Sequence, residues 1–278
     1  MEQATLPHPD AAGEAARPGV ILKEWRARRK VSQLDLALAS EISQRHLSFI
    51  ETGRSAPSPA VVDRLARELA MPMRAHNVLR MAAGFAPAHR ERPLDDPQLA
   101  GAREIVERLL AGHEPYPALA VDRAWNLVAA NAALAPLLSG VESELLAPPV
   151  NVLRLALHPG GIAPRIANFA EWRAHLLARL SAQVDASGDP ALAALERELR
   201  ALPLPRTAGP APAGSGQAIA VPLVLDLQQG RLSLISTTTV FGSPVDITLS
   251  ELAIEAFFPS DEASRAILAD LAQGAATP

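Results

Sequence analysis

The stretch SQLDLALASEISQRHLSFIETGRSAPS, residues 32–58, determines how the N-terminal part of the chain folds. Ser32 and Ser43 each precede a short run with apolar positions at helical spacing, and Ser58 precedes a proline, so all three serines are predicted N-caps. Gly53 is placed to end the second of these helices in a left-handed conformation. The stretch therefore predicts two short helices joined by a tight turn, with the start of another helix at its end.

Helical patterns flank this stretch on both sides. Before it, Ile21, Leu22 and Trp25 give one apolar face, followed by a basic run that ends at Lys30. After it, the pattern predicts a helix that begins at Pro59 and a further helix from about residue 74 to 83. The sequence thus predicts an all-α head of five helices over residues 18–85.

Charge is distributed unevenly along the chain, whose 278 residues carry a formal net charge of −4. Residues 18–92 contain 13 basic and 7 acidic side chains, a net charge of +6, whereas residues 93–278 have a net charge of −8. A basic block beside an acidic one indicates that the head meets a polyanion and that the rest of the chain has another task.

The whole pattern of residues 32–58 resembles the helix-turn-helix of the phage-repressor-like family, also called the xenobiotic-response-element (XRE) family. The resemblance implies binding to double-stranded DNA, with Gln33 on a phosphate and the second helix in the major groove. Arg54 would meet a backbone phosphate, and Gln and Arg side chains suit base reading because they pair bidentately with adenine and guanine edges. The predicted DNA-binding residues are Gln33, Ser43, Gln44, Arg45, His46, Ser48 and Arg54.

The same resemblance implies an ion pair that belongs to the scaffold and one departure from the family pattern. Arg26 is expected to pair with Glu51 between the first and third helices, and neither residue is then a DNA contact. The turn before the recognition helix usually carries glycine, where this chain has Glu41. A carboxylate at that place is expected to lower DNA affinity or to alter the turn.

Residues 86–114 read as a linker and a connector helix. The linker, 86–97, is rich in Pro, Arg and Asp, and residues 99–110 have an amphipathic pattern with Ile105, Val106, Leu109 and Leu110. Such a helix could pack two protomers together or could cover the second domain; the dimer role is slightly favoured.

The remainder, 115–272, mixes strand and helix patterns. A hairpin is predicted from strands at 118–121 and 125–129, and Asn131 and Asn168 are expected to cap helices. Further helices are predicted from Pro190 and from Asp261, and three strands at 218–227, 231–241 and 247–258, the last of which also tolerates helix. Together these elements predict an α+β fold with a five-stranded antiparallel sheet, like a PAS sensor domain.

Three segments carry a second resemblance: PYPALAVDRAWNLVAANAA (115–133), NVLRLALHPGGIAPRIANFAEWRAHLL (151–177) and LISTTTVFGSPVDITLSELAIEAFFPSDEA (234–263). They are similar to the MmyB-like transcription-regulator ligand-binding domain. This resemblance implies a pocket for a small apolar ligand such as a fatty acid or a related lipid. Apolar candidates to line it include Trp125, Leu153, Phe169, Trp172, Leu176, Ile235 and Phe241. Polar candidates to anchor a carboxylate are Arg154, His158, Arg165 and Arg173, although each of them also suits a surface role.

Other classes of function have little support in the sequence. With no cysteine, thiolate metal sites, disulfides and thiol-based redox sensing are excluded. The hydroxyls of residues 236–239 have no His and acid partner at catalytic spacing, and His158 and His175 lack carboxylates at metal-ligand spacing. We therefore expect no enzyme activity, no metal and no cofactor.

The ends of the chain and its apolar runs bear on location. Residues 1–17 and 273–278 read as tails, the first of them acidic and disordered, and 203–217 as a mobile loop rich in Pro and Gly. No run approaches the length of a membrane helix, so no membrane partner and a cytoplasmic location are expected.

The sequence as a whole predicts a homodimeric transcription regulator that binds an inverted repeat in DNA and responds to a small ligand. The alternative is a DNA-binding regulator whose C-terminal domain holds a protein partner or a second protomer and takes no small ligand.

Overall fold

A computed structural model describes residues 17–205 and 220–275 of the chain. The chain divides into two compact units between Glu91 and Arg92. Three predicted segments fall wholly or largely outside the described residues: the tail at 1–17, the loop at 203–217 and the tail at 273–278.

The first unit, called the head below, contains the five predicted helices. They are α1 (Pro18–Arg28), α2 (Gln33–Ala39), α3 (Gln44–Glu51), α4 (Pro59–Glu68) and α5 (Met73–Ala82). The three predicted serine caps are confirmed: the hydroxyls of Ser32, Ser43 and Ser58 accept hydrogen bonds from amides three residues further on, at 3.1, 3.1 and 3.4 Å. One apolar core joins all five helices and includes Leu22, Leu36, Leu47, Leu65 and Leu79.

The second unit, called the C-terminal unit below, is α+β. Its helices are α6 (Ala100–Ala111), α7 (Val152–Leu157), α8 (Phe169–Ser187), α9 (Pro190–Ala201), α10 (Ile247–Ser250) and α11 (Glu262–Ala275). Its strands are β1 (Ala118–Val121), β2 (Leu127–Ala130), β3 (Leu223–Leu227), β4 (Gly230–Val240) and β5 (Ala253–Pro259). They form one five-stranded antiparallel sheet, as predicted, and the structure shows the strand order β2-β1-β5-β4-β3. The likeness to a PAS sensor domain stays a prediction.

The two faces of this sheet have different neighbours. One face packs with α7, α8, α9 and α11 around a large apolar core that includes Phe169, Trp172 and Leu180. The other face packs against α6 through Val106 and Leu110. Alternation along the strands separates the faces: Glu255 in β5 lies on the first face, and its neighbour Ile254 lies on the second.

Helix α6 was predicted either to cover the second domain or to pack two protomers together, and its two sides differ in exposure. Val106 and Leu110 are buried on the sheet, so this side of the helix covers the domain. Ile105 and Leu109, on the neighbouring side, are 50% and 48% exposed. The dimer role concerns these two residues and stays a prediction.

The predicted hairpin exists, but the placement of Trp125 in its second strand is wrong. Trp125 lies in the turn with a φ of 65°, and β2 begins only at Leu127. The cause is Asp122, whose Oδ1 accepts hydrogen bonds from the amides of Ala124 and Asn126, both at 2.8 Å. The carboxylate stabilises a turn longer than the two residues that the sequence suggested.

Asn131 and Asn168 occupy the predicted N-cap positions, but neither side chain makes the cap hydrogen bond, because tertiary contacts occupy both. Asn131 is buried, with its Oδ1 accepting from the amide of Ala118 at 3.0 Å and its Nδ2 donating to two carbonyls. Asn168 instead joins α8 to β3: it accepts from the amide of Val224 at 3.1 Å and donates to the carbonyl of Pro222 at 2.8 Å. The segment after Asn131 is a 3₁₀ helix that contains Pro136.

The bounds of the later strands differ from those predicted. Strand β3 begins at Leu223 instead of residue 218, and the ambiguous segment 247–258 contains both structures, with the short helix α10 followed by β5. Asp246 caps α10, since its Oδ1 accepts from the amide of Thr248 at 3.0 Å. This local cap explains why the helix forms before the strand.

Residues 86–114, predicted as linker and connector, are divided between the two units. In the head, the buried Asn77 accepts from the amides of Ala88 and His89 and donates to the carbonyl of His89. In the C-terminal unit, the Arg92 guanidinium donates to Asp246 Oδ2 at 2.7 Å. Ala88 and His89 are thus held by the head, and Arg92 is held by the C-terminal unit.

Candidate functional site

The first candidate site is the exposed side of α3 in the head. Leu47 and Ile50 bury the opposite side of this helix in the head core. Gln44 and Arg45 are exposed, and His46 and Ser48 are half-buried. The four residues predicted to face DNA therefore lie on one helix, with the two longest side chains free of the core.

Phe49 connects this surface to Arg54, which follows α3. The guanidinium carbon of Arg45 lies 5.3 Å from the centre of the Phe49 ring, and that of Arg54 lies 6.0 Å from it. One ring therefore contacts both cations at distances typical of cation–π interactions. The sequence alone did not single out Phe49, although an aromatic residue four positions after an arginine in a helix is the signal that could have found it.

The Arg26–Glu51 ion pair is confirmed as part of the scaffold, and Gln33 joins it. Arg26 Nε donates to Glu51 Oε1 at 2.8 Å, and Gln33 Nε2 donates to Glu51 Oε2 at 3.0 Å. The hydrogen bond to Glu51 raises the pKa of Arg26. Ser43, also a predicted DNA contact, uses its hydroxyl to cap α3.

Glu41 lies in the turn between α2 and α3 with a φ of 51°, in the left-handed region that favours glycine. Its exposed carboxylate accepts a hydrogen bond from Arg64 Nη1 at 3.0 Å, and the same nitrogen donates to the carbonyl of Ser40 at 3.0 Å. The turn therefore keeps the geometry of a glycine turn, and an arginine partly compensates the carboxylate.

The second candidate site is a cavity of about 100 Å³ inside the C-terminal unit, between the first face of the sheet and the helices that cover it. Four of the predicted apolar residues line it: Trp125, Leu153, Trp172 and Leu176. The other three lie elsewhere: Phe169 is in the core, Ile235 is exposed, and Phe241 packs on the other face of the sheet.

The structure places the four predicted anchors outside the lining of this cavity, each with another partner. Arg154 forms an ion pair with Glu198 at 2.7 Å, and the hydrogen bond with Arg154 lowers the pKa of Glu198. His158 Nδ1 accepts from the amide of Gly160 at 3.0 Å. Arg165 donates to the carbonyl of Leu137, and Arg173 donates to the last carbonyls of α9.

The charged part of the lining is instead the ion pair between Arg179 in α8 and Glu255 in β5. Arg179 Nη2 donates to Glu255 Oε1 at 2.6 Å, and Nη1 donates to Oε2 at 3.3 Å. Thr238 donates to Glu255 Oε1 at 2.9 Å and accepts from Arg179 at 3.1 Å. Helical spacing from Trp172 could have placed Arg179 on the same side of α8, but Glu255 could not be assigned to a face while its segment was ambiguous.

Two further polar groups lie on α8, the helix that carries Arg179. The buried Nε1–H of Trp172 has no acceptor among residues 17–205 and 220–275. Burial and the charge of Arg179 lower the pKa of His175, one turn earlier in α8, which favours the neutral imidazole. The cavity thus combines an apolar lining with one ion pair, and one of its lining residues, Trp172, carries an unsatisfied donor; an apolar lining with few polar groups is typical of ligand sites.

A compact helical head with an exposed recognition helix, joined to a unit that encloses an apolar cavity, defines a class: the helix-turn-helix regulators with a separate ligand-binding domain. Comparison with protein families agrees with this class. A family model described as Helix-turn-helix matches residues 22–75, and a model described as MmyB-like transcription regulator ligand binding domain matches residues 102–271.

The second match covers more than half of the chain, and the chain belongs to the MmyB-like family. It is a DNA-binding transcription regulator with a ligand-binding domain. In the described residues, no helix is long and apolar enough to cross a membrane.

Comparisons with individual proteins add little. No curated protein matches the chain. A solved structure described as "Structure of an RNA-binding Light-Oxygen-Voltage Receptor" is 16% identical, with 95% of this chain and 64% of that chain covered. The TM-score of 0.25 does not indicate a shared overall fold.

Proposed function

We propose that the protein is a homodimeric, one-component regulator in the cytoplasm whose C-terminal unit binds a small apolar ligand and thereby changes DNA binding. The observation that carries this proposal is the apolar cavity in a unit that shares its chain with a helix-turn-helix head. The mechanism needs binding and a change of shape, and it involves no catalytic group, metal or cofactor.

The apolar part of the lining supports the hydrocarbon chain of a fatty acid or a related lipid as the ligand. Leucine, tryptophan and other apolar side chains make up most of it, and Ser236, Arg179 and Glu255 supply its polar atoms apart from the indole groups. The cavity volume of about 100 Å³ is below the roughly 300–1,000 Å³ of most ligand pockets. A lipid must therefore push the lining outward, and this displacement is how ligand binding would favour a different shape of the unit.

The dimer is proposed from α6 and from the geometry of DNA. Ile105 and Leu109 leave an exposed apolar strip on this helix, next to the side that packs on the sheet. Two heads of a dimer would read the two halves of an inverted repeat, with half-sites about 34–36 Å apart or a multiple of it.

The ligand is tested by native mass spectrometry of the purified full-length protein, followed by extraction. We expect a retained small-molecule mass in the lipid range, and we expect the added lipid to shift the footprint on a promoter that contains an inverted repeat. If the purified protein retains no small molecule and binds no added lipid at saturating concentration, the result would instead favour a C-terminal unit that holds a protein partner. A DNA affinity unchanged by bound lipid would remove the regulatory part of the proposal.

The DNA surface is tested by two arginine variants. Arg45→Ala should reduce discrimination between operator and random DNA by about 1–3 kcal/mol, because a base contact is lost. Arg54→Ala should weaken binding to all DNA similarly and should reduce the slope of log affinity against log salt by about 1, because a phosphate contact is lost. Titration of both variants on both DNAs at several salt concentrations measures these effects.

The exposed Arg231 of the C-terminal unit provides the control for a lost positive charge. Arg231→Ala should leave both the affinity and the salt slope close to those of the wild type. Equal losses on operator and random DNA for Arg45→Ala would contradict its assignment to base reading.

A further inference from the structure

The Arg179–Glu255 ion pair bears on which lipids the cavity accepts, an inference that rests on the proposed ligand-binding function. Glu255 is almost fully buried, with a side chain 6% exposed, and both of its oxygens accept from the guanidinium. The guanidinium also lies over the ring of Trp125, 5.0 Å from its centre. Four parts of the unit thus meet at the pair: α8, β4, β5 and the turn before β2.

A ligand carboxylate would meet a cation that is already compensated. If it displaced Glu255 from Arg179, a buried carboxylate would be left with Thr238 as its remaining partner in the described residues, and removing one partner of a buried pair is costly. If both carboxylates shared the guanidinium, two like charges would lie close together in a medium of low dielectric constant. Such a pair is relieved when one member takes up a proton.

The other ionisable groups near the pair do not supply a second cation. Burial and the charge of Arg179 lower the pKa of His175, on the same helix, and so favour its neutral form, although Glu255 and Glu171 act in the opposite direction. Arg123, in the turn before β2, forms an ion pair with Asp189 and lies 3.9 Å from Glu251. The charged part of the lining is therefore one cation and one anion.

A ligand that offers an uncharged oxygen neither displaces Glu255 nor places a second negative charge beside it. A guanidinium has five N–H donors, and Glu255 and Thr238 together occupy three of those of Arg179. A hydroxyl or carbonyl oxygen can accept from the others without separating the ion pair. The Nε1–H of Trp172 is a further donor that lacks an acceptor in the described part of the chain.

We propose that the Arg179–Glu255 pair makes the cavity selective for lipids with an uncharged polar end, such as an alcohol, ester or amide, over lipids with a carboxylate. A carboxylate then binds only together with one proton, carried by the ligand or by Glu255.

The experiment compares 1-dodecanol with dodecanoate on the full-length protein by calorimetry, from about pH 6 to about pH 8, in two buffers of different ionisation enthalpy. We expect dodecanol to bind without proton uptake and with an affinity independent of pH. Binding of dodecanoate should be accompanied by uptake of one proton, and its affinity should fall about tenfold per pH unit. At about pH 8, dodecanoate should bind at least tenfold more weakly than dodecanol. These measurements need only the wild-type protein.

Glu255→Gln removes the compensating charge and keeps a side chain of the same size. In this variant, dodecanoate should gain affinity and lose its pH dependence, and a cooperative unfolding transition followed by circular dichroism shows separately that the variant is folded. Glu262→Gln, at an exposed residue of α11, is the matched control and should behave as the wild type. Wild-type protein that binds dodecanoate more tightly than dodecanol, without proton uptake, would overturn the selectivity alone. If neither lipid binds and the purified protein retains no ligand, the proposed function fails and the selectivity with it.

Discussion

Arg26→Ala is expected to lower the free energy of unfolding of the head by about 3–5 kcal/mol, the usual cost of removing one partner from a buried ion pair. Arg26 contacts Glu51 through two nitrogens, and the Glu51 side chain is only 5% exposed. Without Arg26, the carboxylate keeps the hydrogen bond from Gln33 as its remaining side-chain partner in the described residues. A domain of this length has a total stability of roughly 4–11 kcal/mol, so the head loses a large share of it.

Hydrogen exchange measured by mass spectrometry on the full chain tests this prediction, because it reports on each unit separately. Amides of α1 and α3 should lose protection, while amides of the C-terminal unit should keep theirs. Lys23→Ala, at an exposed position of the same helix, is the control and should change stability by less than about 0.5 kcal/mol. Unchanged exchange in α3 of the Arg26 variant would show that the pair contributes little.

Arg92→Ala is expected to destabilise the C-terminal unit by about 3 kcal/mol. The Asp246 carboxylate is 1% exposed, and its Oδ2 accepts from Arg92 at 2.7 Å. In the variant, the charge remains buried with the amide of Thr248 on its other oxygen. The double variant Arg92→Ala with Asp246→Ala should recover part of the loss, because the uncompensated charge is then gone.

Urea unfolding followed by hydrogen exchange measures the effect at α10 and at the start of β5, which directly follow Asp246. The control is Arg108→Ala in α6, whose ion pair with Glu104 is exposed on both sides and should contribute less than about 1 kcal/mol. If Arg92→Ala had no larger effect than this control, the pair with Asp246 would not hold the first residue of the unit.

The head could be predicted from the sequence almost completely, because its signals are local. Ser32, Ser43 and Ser58 each cap the helix that follows directly, and a few residues suffice to recognise such a cap. Gly53, predicted to end α3, has a φ of 73°. Of the two contacts of Phe49, the one with Arg45 follows from helical spacing, whereas the one with Arg54 depends on how the chain turns back after the helix ends.

The C-terminal unit was predicted in outline, since its strands and helices follow apolar periodicity. Its details depend on contacts distant in sequence: Asn168 looks like a cap in its own segment but bonds to a strand 56 residues later. The cavity depends on such contacts even more, because 76 residues separate Arg179 from Glu255. Arg154, His158, Arg165 and Arg173 were candidates by residue type, and type does not tell which cations local carbonyls and carboxylates already hold.

The position of Phe49 beneath Arg45 and Arg54 has a consequence for the entropy of DNA binding. Fixing a long arginine side chain costs up to about 2 kcal/mol of conformational freedom. Because the ring already restricts both side chains in the free protein, part of this entropy is lost during folding and does not weaken DNA binding. If Arg45 reads bases and Arg54 binds a phosphate, as proposed, the same aromatic ring partly orders both side chains before DNA binds.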